Sequence, residues 1–135
     1  MVEMVWDAER HGTGRTASGA SLAIGDEAHF SPDDLVCLAA ASCLMKTLLG
    51  MAEDEGVPLL SYLSTAELIR DAAESGSGRV RIRAYVSTDT DDDRRRLEAL
   101  SERARTGSPI ACLLGDRVEV VADVRVLEAT RRSSA

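Results

Sequence analysis

The segment between residues 31 and 56 constrains the fold of this chain more than any other part. It opens with Ser-Pro-Asp-Asp at 31–34: Ser31 suits a helix N-cap, the proline suits the first turn, and the carboxylates lie at the positive end of the helix dipole. Apolar residues then continue to about Asp54, and Gly56 marks the end of the helix. The sequence therefore predicts a helix over 32–54, about 34 Å long.

The middle of this helix is apolar on almost every side, so no single face is marked out for a core. A helix of this kind must be surrounded by protein, and in a chain of 135 residues complete cover requires a second subunit. Ser42, Lys46 and Gly50 interrupt the apolar stretch and acidic residues flank it. This pattern favours a buried helix over a membrane span.

The rest of the chain predicts strands and two shorter helices. Alternating or β-prone segments predict one or two short strands around 4–9 and 15–24, and further strands at 60–70, 79–88 and 118–126. The strands at 60–70 and 79–88 are expected to form a hairpin around a turn at 75–78, and helices are predicted at 91–105 and 109–114. The tail at 130–135 is expected to be loose. The order β-α-β-β-α-α-β predicts one α+β domain over residues 1–135.

Charge and cysteine content limit the classes of function. The net charge of −7 disfavours binding to nucleic acid or to an acidic membrane, and the arginine clusters mixed with acidic residues are interpreted as solvated faces. The N-terminus lacks the basic and apolar regions of a signal peptide. Three cysteines without an export signal favour reduced thiols and a cytoplasmic location.

Cys43 is the residue most suited to chemistry. A cysteine within a packed apolar helix is usually inert, but Lys46 lies three residues on, on the same helix face, where its charge would stabilise a thiolate. Ser42 and Thr47 add polar groups nearby. Cys37 is six residues earlier, about 9 Å along the axis and on another face, so it is predicted to be a core residue.

Other chemistries lack their sequence signatures. His11 and His29 have no partners at metal-binding spacing, and neither a phosphate loop nor a dinucleotide motif occurs. We therefore expect no metal and no organic cofactor. Asp33 lies ten residues before Cys43, about 15 Å along the same helix. The Asp33 side chain therefore cannot contact Cys43 of its own chain. Cys112 follows Pro109 on the second short helix, and the sequence alone does not determine its distance from Cys43.

Two segments resemble a known family. Ser31-Pro32-Asp33-Asp34-Leu35-Val36, followed by an Ala-rich helix that carries Ser42-Cys43-Leu44, resembles the opening motif of the OsmC/Ohr family, the osmotically inducible and organic hydroperoxide resistance proteins. The ten-residue spacing from Asp33 to Cys43 matches the family's acid and reactive cysteine. The later segment Ala104-Arg105-Thr106-Gly107-Ser108-Pro109-Ile110 resembles a second family motif, in which a cysteine occupies the position of Ser108.

The resemblance implies a fold and an activity. The fold would be an intertwined α+β homodimer, with two long central helices packed against antiparallel sheets. The activity would be that of a thiol peroxidase in the response to oxidative stress, which reduces organic hydroperoxides and is restored by a dithiol reductant. Cys43 would be the peroxidatic thiol and Asp33 the supporting acid. The arginine that pairs with this acid would be Arg10 or Arg15.

With a serine at position 108, the sequence does not determine which thiol would reduce the sulfenic acid. Without a cysteine there, the sulfenic acid on Cys43 would be resolved by Cys112, four residues further on, or by an external thiol. The alternative is a non-catalytic OsmC-like protein that binds a small apolar ligand in the dimer cavity.

Overall fold

The computed structural model describes residues 1–70 and 78–127, which contain six strands and three α-helices. The strands are β1 (Val2–Ala8), β2 (His11–Thr16), β3 (Ser21–Ile24), β4 (Ser61–Arg70), β5 (Gly78–Thr88) and β6 (Val118–Val126). The helices are α1 (Pro32–Asp54), α2 (Asp91–Gly107) and α3 (Pro109–Leu114), with a short 3-10 turn at Gly115–Arg117. The predicted α+β class is confirmed. The predicted turn at 75–78 falls largely outside the described residues, as does the tail.

The chain divides into two units, Met1–Val36 and the residues from Cys37 onward. The first unit holds an antiparallel sheet in the order β1-β2-β3. The single strand expected over 15–24 is in fact parts of two strands. Gly19 separates them: it adopts a φ of 100°, which favours glycine, and its N–H donates to the Thr16 carbonyl at 3.1 Å.

The second unit contains a sheet in the order β4-β5-β6. The predicted hairpin is confirmed, because β4 and β5 pair antiparallel from Ser61↔Ser87 to Arg70↔Gly78. The expectation of purely antiparallel sheets needs a correction, since β6 pairs with β5 in parallel. A parallel pair requires a long crossover connection, and α2 and α3 supply it between the two strands.

The predicted helix at 32–54 is confirmed as α1, with the same limits. Its start is a reciprocal capping box: the Ser31 hydroxyl accepts from the Asp34 N–H at 3.1 Å, and the Asp34 carboxylate accepts from the Ser31 N–H at 3.0 Å. Asp34 is therefore the capping acid. Its neighbour Asp33 lies exposed in the same first turn.

One face of α1 supplies a stripe of the core of the second unit, which is made of aliphatic residues. The stripe recurs every three or four residues, as expected for one side of a helix: Cys37, Ala40, Leu44, Leu48 and Ala52. The same core contains the inward residues of β5 (Val80, Ile82, Ala84 and Val86) and those of α2 (Leu97, Leu100 and Ala104). Cys37 is thus a core residue, as predicted.

The remaining faces of α1 are apolar and open in this single chain. Val36, Leu38 and Leu49 are each about two-fifths to one-half exposed. By length and composition alone, α1 is long and apolar enough to cross a membrane. The core helices of soluble proteins can have the same length and composition. The stripe of core residues instead places one side of α1 against protein.

Candidate functional site around Cys43

Cys43 lies in the middle of α1, beside the stripe of core residues, and its side chain is half-buried. The buried residues Ala40 and Leu44 lie three positions before it and one after it, and Lys46 is exposed one turn further on. The thiol is therefore at the border between the core and the open surface of the helix. That position excludes part of the solvent while leaving the sulfur accessible to a small molecule.

Ser108 makes a direct polar contact with this thiol. Its hydroxyl donates to the Cys43 sulfur at 3.0 Å, and the residue is 1% exposed. Ser108 is the N-cap residue of α3, yet its hydroxyl makes no hydrogen bond to the helix backbone. The hydroxyl therefore does not make the usual N-cap hydrogen bond and donates to the sulfur instead.

The first turn of α3 supplies a second donor. Pro109 occupies the start of this helix and has no N–H, so the first available backbone donor is the N–H of Ile110. Hydrogen bonding from the Ile110 backbone lowers the pKa of the Cys43 thiol. The thiol thus lies against a helix start, where unpaired backbone donors stabilise negative charge.

These surroundings change the acidity of Cys43. Burial raises its pKa, because a thiolate is less well solvated there. Hydrogen bonding from Ser108 and Ile110, the nearby Thr47 hydroxyl and the charge of Lys46 together outweigh burial and lower the pKa below its ordinary value. The Thr47 hydroxyl itself donates to the Cys43 carbonyl at 2.8 Å. A lowered pKa increases the fraction of thiolate, which is the nucleophilic form of cysteine.

Of the polar residues expected near the thiol, Lys46 and Thr47 contribute to its acidity. Ser42 does not, because its hydroxyl donates to the Ala39 carbonyl at 3.2 Å. The role of Ser108 as a donor was missed. The only sequence signal was a serine where the family has a cysteine, which was interpreted only as the loss of a thiol.

Cys112 lies on the exposed side of α3, one helical turn after Ser108. Its sulfur donates to the Thr106 carbonyl at 3.3 Å, and its backbone N–H donates to the Ser108 carbonyl at 3.0 Å. None of the three cysteines is in a disulfide. The structure therefore pairs Cys43 with Ser108 and directs the sulfur of Cys112 elsewhere.

The other predicted site residues belong to the unit Met1–Val36. Arg10 lies exposed in the turn between β1 and β2, Arg15 is exposed on β2, and Asp33 is exposed at the start of α1. Their roles toward Cys43 stay predictions. Among residues 1–70 and 78–127, no group of three or more His, Cys, Asp or Glu side chains is placed to hold a metal ion.

Comparisons with known proteins agree on the family of this architecture. The family model described as OsmC-like protein matches residues 25–123. No curated protein matches the sequence significantly. An OsmC-like protein of unknown function from Vibrio cholerae has a similar structure, with a TM-score of 0.76 and 20% identity, covering 92% of this chain and 97% of that one.

Two further solved structures carry functional names. One is an organic hydroperoxide resistance protein OsmC from Legionella pneumophila, with a TM-score of 0.66, 17% identity, and coverage of 93% of this chain and 94% of that one. The other is the organic hydroperoxide resistance protein OhrB of Bacillus subtilis, with a TM-score of 0.66, 18% identity, and coverage of 92% and 96%. At these identities the likeness establishes the shared fold.

Proposed function

The chain belongs to the OsmC family, and from this membership and the surroundings of Cys43 we propose that it is a thiol-dependent peroxidase for organic hydroperoxides. The observation that carries the proposal is the hydrogen bond of 3.0 Å from the buried Ser108 hydroxyl to the sulfur of a half-buried cysteine. Two similar structures bear the name of organic hydroperoxide resistance proteins, which supports this class of substrate.

In the first step the Cys43 thiolate attacks the terminal oxygen of the hydroperoxide. The S–O bond forms as the O–O bond breaks, so that the thiolate, ROOH and one proton give Cys43–SOH and ROH. The sulfur is oxidised by two electrons and the peroxide is reduced by two. The Ser108 hydroxyl favours the ionised sulfur, because it donates a hydrogen bond to it at 3.0 Å.

The surroundings of the thiol favour an organic peroxide over hydrogen peroxide. Apart from Lys46, α1 carries no charged residue between Val36 and Ala52. The half-buried Met45 on this helix would contact an alkyl or aryl group. Leu44 and Leu48 belong to the core and are not part of such a surface.

We assign the supporting charges as the resemblance implies. Asp33 is the acid, and Arg10 or Arg15 is the arginine that pairs with it and stabilises the thiolate. Because Asp33 lies ten residues before Cys43 on one helix, about 15 Å along its axis, it would act on the thiol of a second subunit. The sulfenic acid is then reduced through Cys112 or by an external thiol, with a dithiol as the final reductant.

This assignment requires a homodimer of single-domain chains, 1–135. The apolar surface of α1 supports it, since Val36, Leu38 and Leu49 are exposed in the single chain. A second copy packed on these residues would surround the helix, as its all-round apolar sequence requires. The odd count of three cysteines fits a cytoplasmic location.

The second candidate is a binding protein without catalysis. Ser108 in place of the family's cysteine favours it, and so does an apolar groove of about 550 Å³ within the first unit. The groove is lined by β1, β2, β3 and the start of α1, and includes Met4, Leu22 and Leu35. Such a groove would suit a small apolar ligand.

Consumption of cumene hydroperoxide with dithiothreitol as reductant tests the peroxidase. Cys43→Ser should abolish turnover, because the nucleophile is lost, whereas Cys37→Ala should retain it, since Cys37 is a core residue far along the helix. Circular dichroism of each variant checks that it is folded. Equal turnover by the wild-type chain and Cys43→Ser would reject the proposal and favour the binding protein.

A further inference from the structure

The position from which an in-chain thiol would attack Cys43 is occupied by a hydroxyl. Ser108 is buried and its oxygen lies 3.0 Å from the Cys43 sulfur. An oxygen at this point donates a hydrogen bond but cannot form a disulfide. If the sulfenic acid forms on Cys43, the residue nearest to it therefore stabilises it without reducing it.

Cys112 is not arranged to take over that step. It lies four residues after Ser108, about 6 Å along the axis of α3, and its sulfur is bonded to the Thr106 carbonyl. Its backbone N–H bond to Ser108 holds the turn of helix between them. A disulfide between the two sulfurs, at about 2.05 Å, would require breaking the contact between Cys112 and the Thr106 carbonyl.

Cys43 is only half-buried, and one positive charge lies near it on the same helix. Lys46 is the sole lysine of the chain and the sole charged residue between positions 36 and 52, and the segment 106–115 against the sulfur has no charged residue. Within the described part of the chain Lys46 makes no ion pair or hydrogen bond, and it is exposed. In the single chain its ammonium group is therefore available to an incoming anion.

We infer that the chain is a one-cysteine peroxidase whose Cys43 sulfenic acid is reduced by external thiols, with Lys46 favouring thiols that carry a carboxylate. This inference rests on the proposed peroxidase function and names its reductant. Ser108 is the donor that holds the sulfur during both steps.

The reduction balances with two thiol equivalents. In the first step Cys43–SOH and R′SH form a mixed disulfide, Cys43–S–S–R′, and release water. In the second step another thiol attacks the R′ sulfur of that disulfide, and Cys43 leaves as the thiolate. The oxidised product is R′S–SR′ for a monothiol and an intramolecular disulfide for a dithiol. The two electrons given to the peroxide thus come from the external thiols.

Intact mass and peptide mapping of the full chain test the route of reduction. The reduced protein is treated with one equivalent of cumene hydroperoxide and then with one equivalent of 3-mercaptopropionate. We expect one added oxygen on Cys43, then its replacement by a mixed disulfide with the thiol, and the same adduct in Cys112→Ser. A Cys43–Cys112 disulfide in the wild-type chain would overturn the inference while leaving the peroxidase proposal intact. A Cys43 thiol unchanged by the hydroperoxide would overturn both.

The role of Lys46 is tested by comparing two thiols on the oxidised protein. The rate of adduct formation with 3-mercaptopropionate is divided by the rate with uncharged 2-mercaptoethanol, so that any change in the sulfur itself cancels. Lys46→Gln should lower this ratio about two- to fivefold, as expected for one exposed charge, and Lys46→Arg should preserve it. Added salt should lower the ratio in the wild-type chain. A ratio unaffected by Lys46→Gln would remove Lys46 from the inference.

Discussion

At the scale of single residues, the acidity of Cys43 depends on where one hydroxyl points. Ser108 caps no backbone group of α3 and donates to the sulfur instead. A buried donor to a thiolate favours the charged form, so it lowers the pKa and raises the fraction of nucleophile at neutral pH. This contact makes a serine useful at a position where the family has a cysteine.

Ser108→Ala should raise the pKa of Cys43, because the thiolate loses a donor while burial, which opposes ionisation, stays. The rate of alkylation of Cys43 by iodoacetamide should therefore rise with pH over a higher range than in the wild-type chain. At pH 7 the rate should fall roughly tenfold, the effect of one hydrogen bond to a charged group. Peptide mapping of samples alkylated at a series of pH values measures the rate at Cys43.

Ser101→Ala is the matched control for that variant. Ser101 is also a buried serine, and its hydroxyl donates to the Leu97 carbonyl at 2.8 Å within α2. Its removal should leave the alkylation profile of Cys43 unchanged. An identical profile for Ser108→Ala and the wild-type chain would show that Ser108 does not tune the thiol.

Sequence could identify Cys43 but not its partner. The motif around Ser31 and the spacing to Cys43 are local, so they are visible in one segment. The contact between Cys43 and Ser108 joins residues 65 positions apart. Such a contact depends on how α3 packs on α1, which no local pattern encodes.

At the scale of elements, local signals set the helix limits. The capping box of Ser31 and Asp34 begins α1 at the predicted residue. Pairing between strands is less local: the parallel alignment of β5 and β6 follows from the crossover through α2 and α3 and could not be predicted from alternation alone.

Thr90 provides a direct test of helix capping in α2. Its hydroxyl accepts from the Asp93 N–H at 3.1 Å, and its backbone is extended, as expected for an N-cap. Thr90→Ala should lower the free energy of unfolding by about 1 kcal/mol, and Thr90→Ser should retain most of it. Urea denaturation measures both. Equal losses in the two variants would mean that the hydroxyl bond is not the stabilising contact.

At the scale of the whole molecule, the exposed apolar faces of α1 favour packing of a second copy on this helix. Leu38 is 48% exposed on this helix although it lies in a strongly apolar sequence. The wild-type chain should have the mass of two copies of 14.5 kDa by light scattering after size exclusion. Leu38→Glu should shift the population towards one copy, because a carboxylate would be buried in the proposed interface.

Leu63→Glu is the control for that experiment. Leu63 is an exposed leucine on β4, outside α1, and a charge there should leave the mass at two copies. A wild-type mass of 14.5 kDa would contradict the homodimer, and with it the assignment of Asp33 to the thiol of a second subunit.

The measurement that tests the central claim most directly is the rate at which each cysteine reacts with cumene hydroperoxide at pH 7. Samples quenched with iodoacetamide and mapped by mass give all three rates in one experiment. Cys112 is the more exposed thiol, whereas Cys43 is half-buried and has donors on its sulfur. The account predicts that Cys43 is oxidised first and fastest. Oxidation of Cys112 before Cys43, or equal slow rates for both, would contradict it.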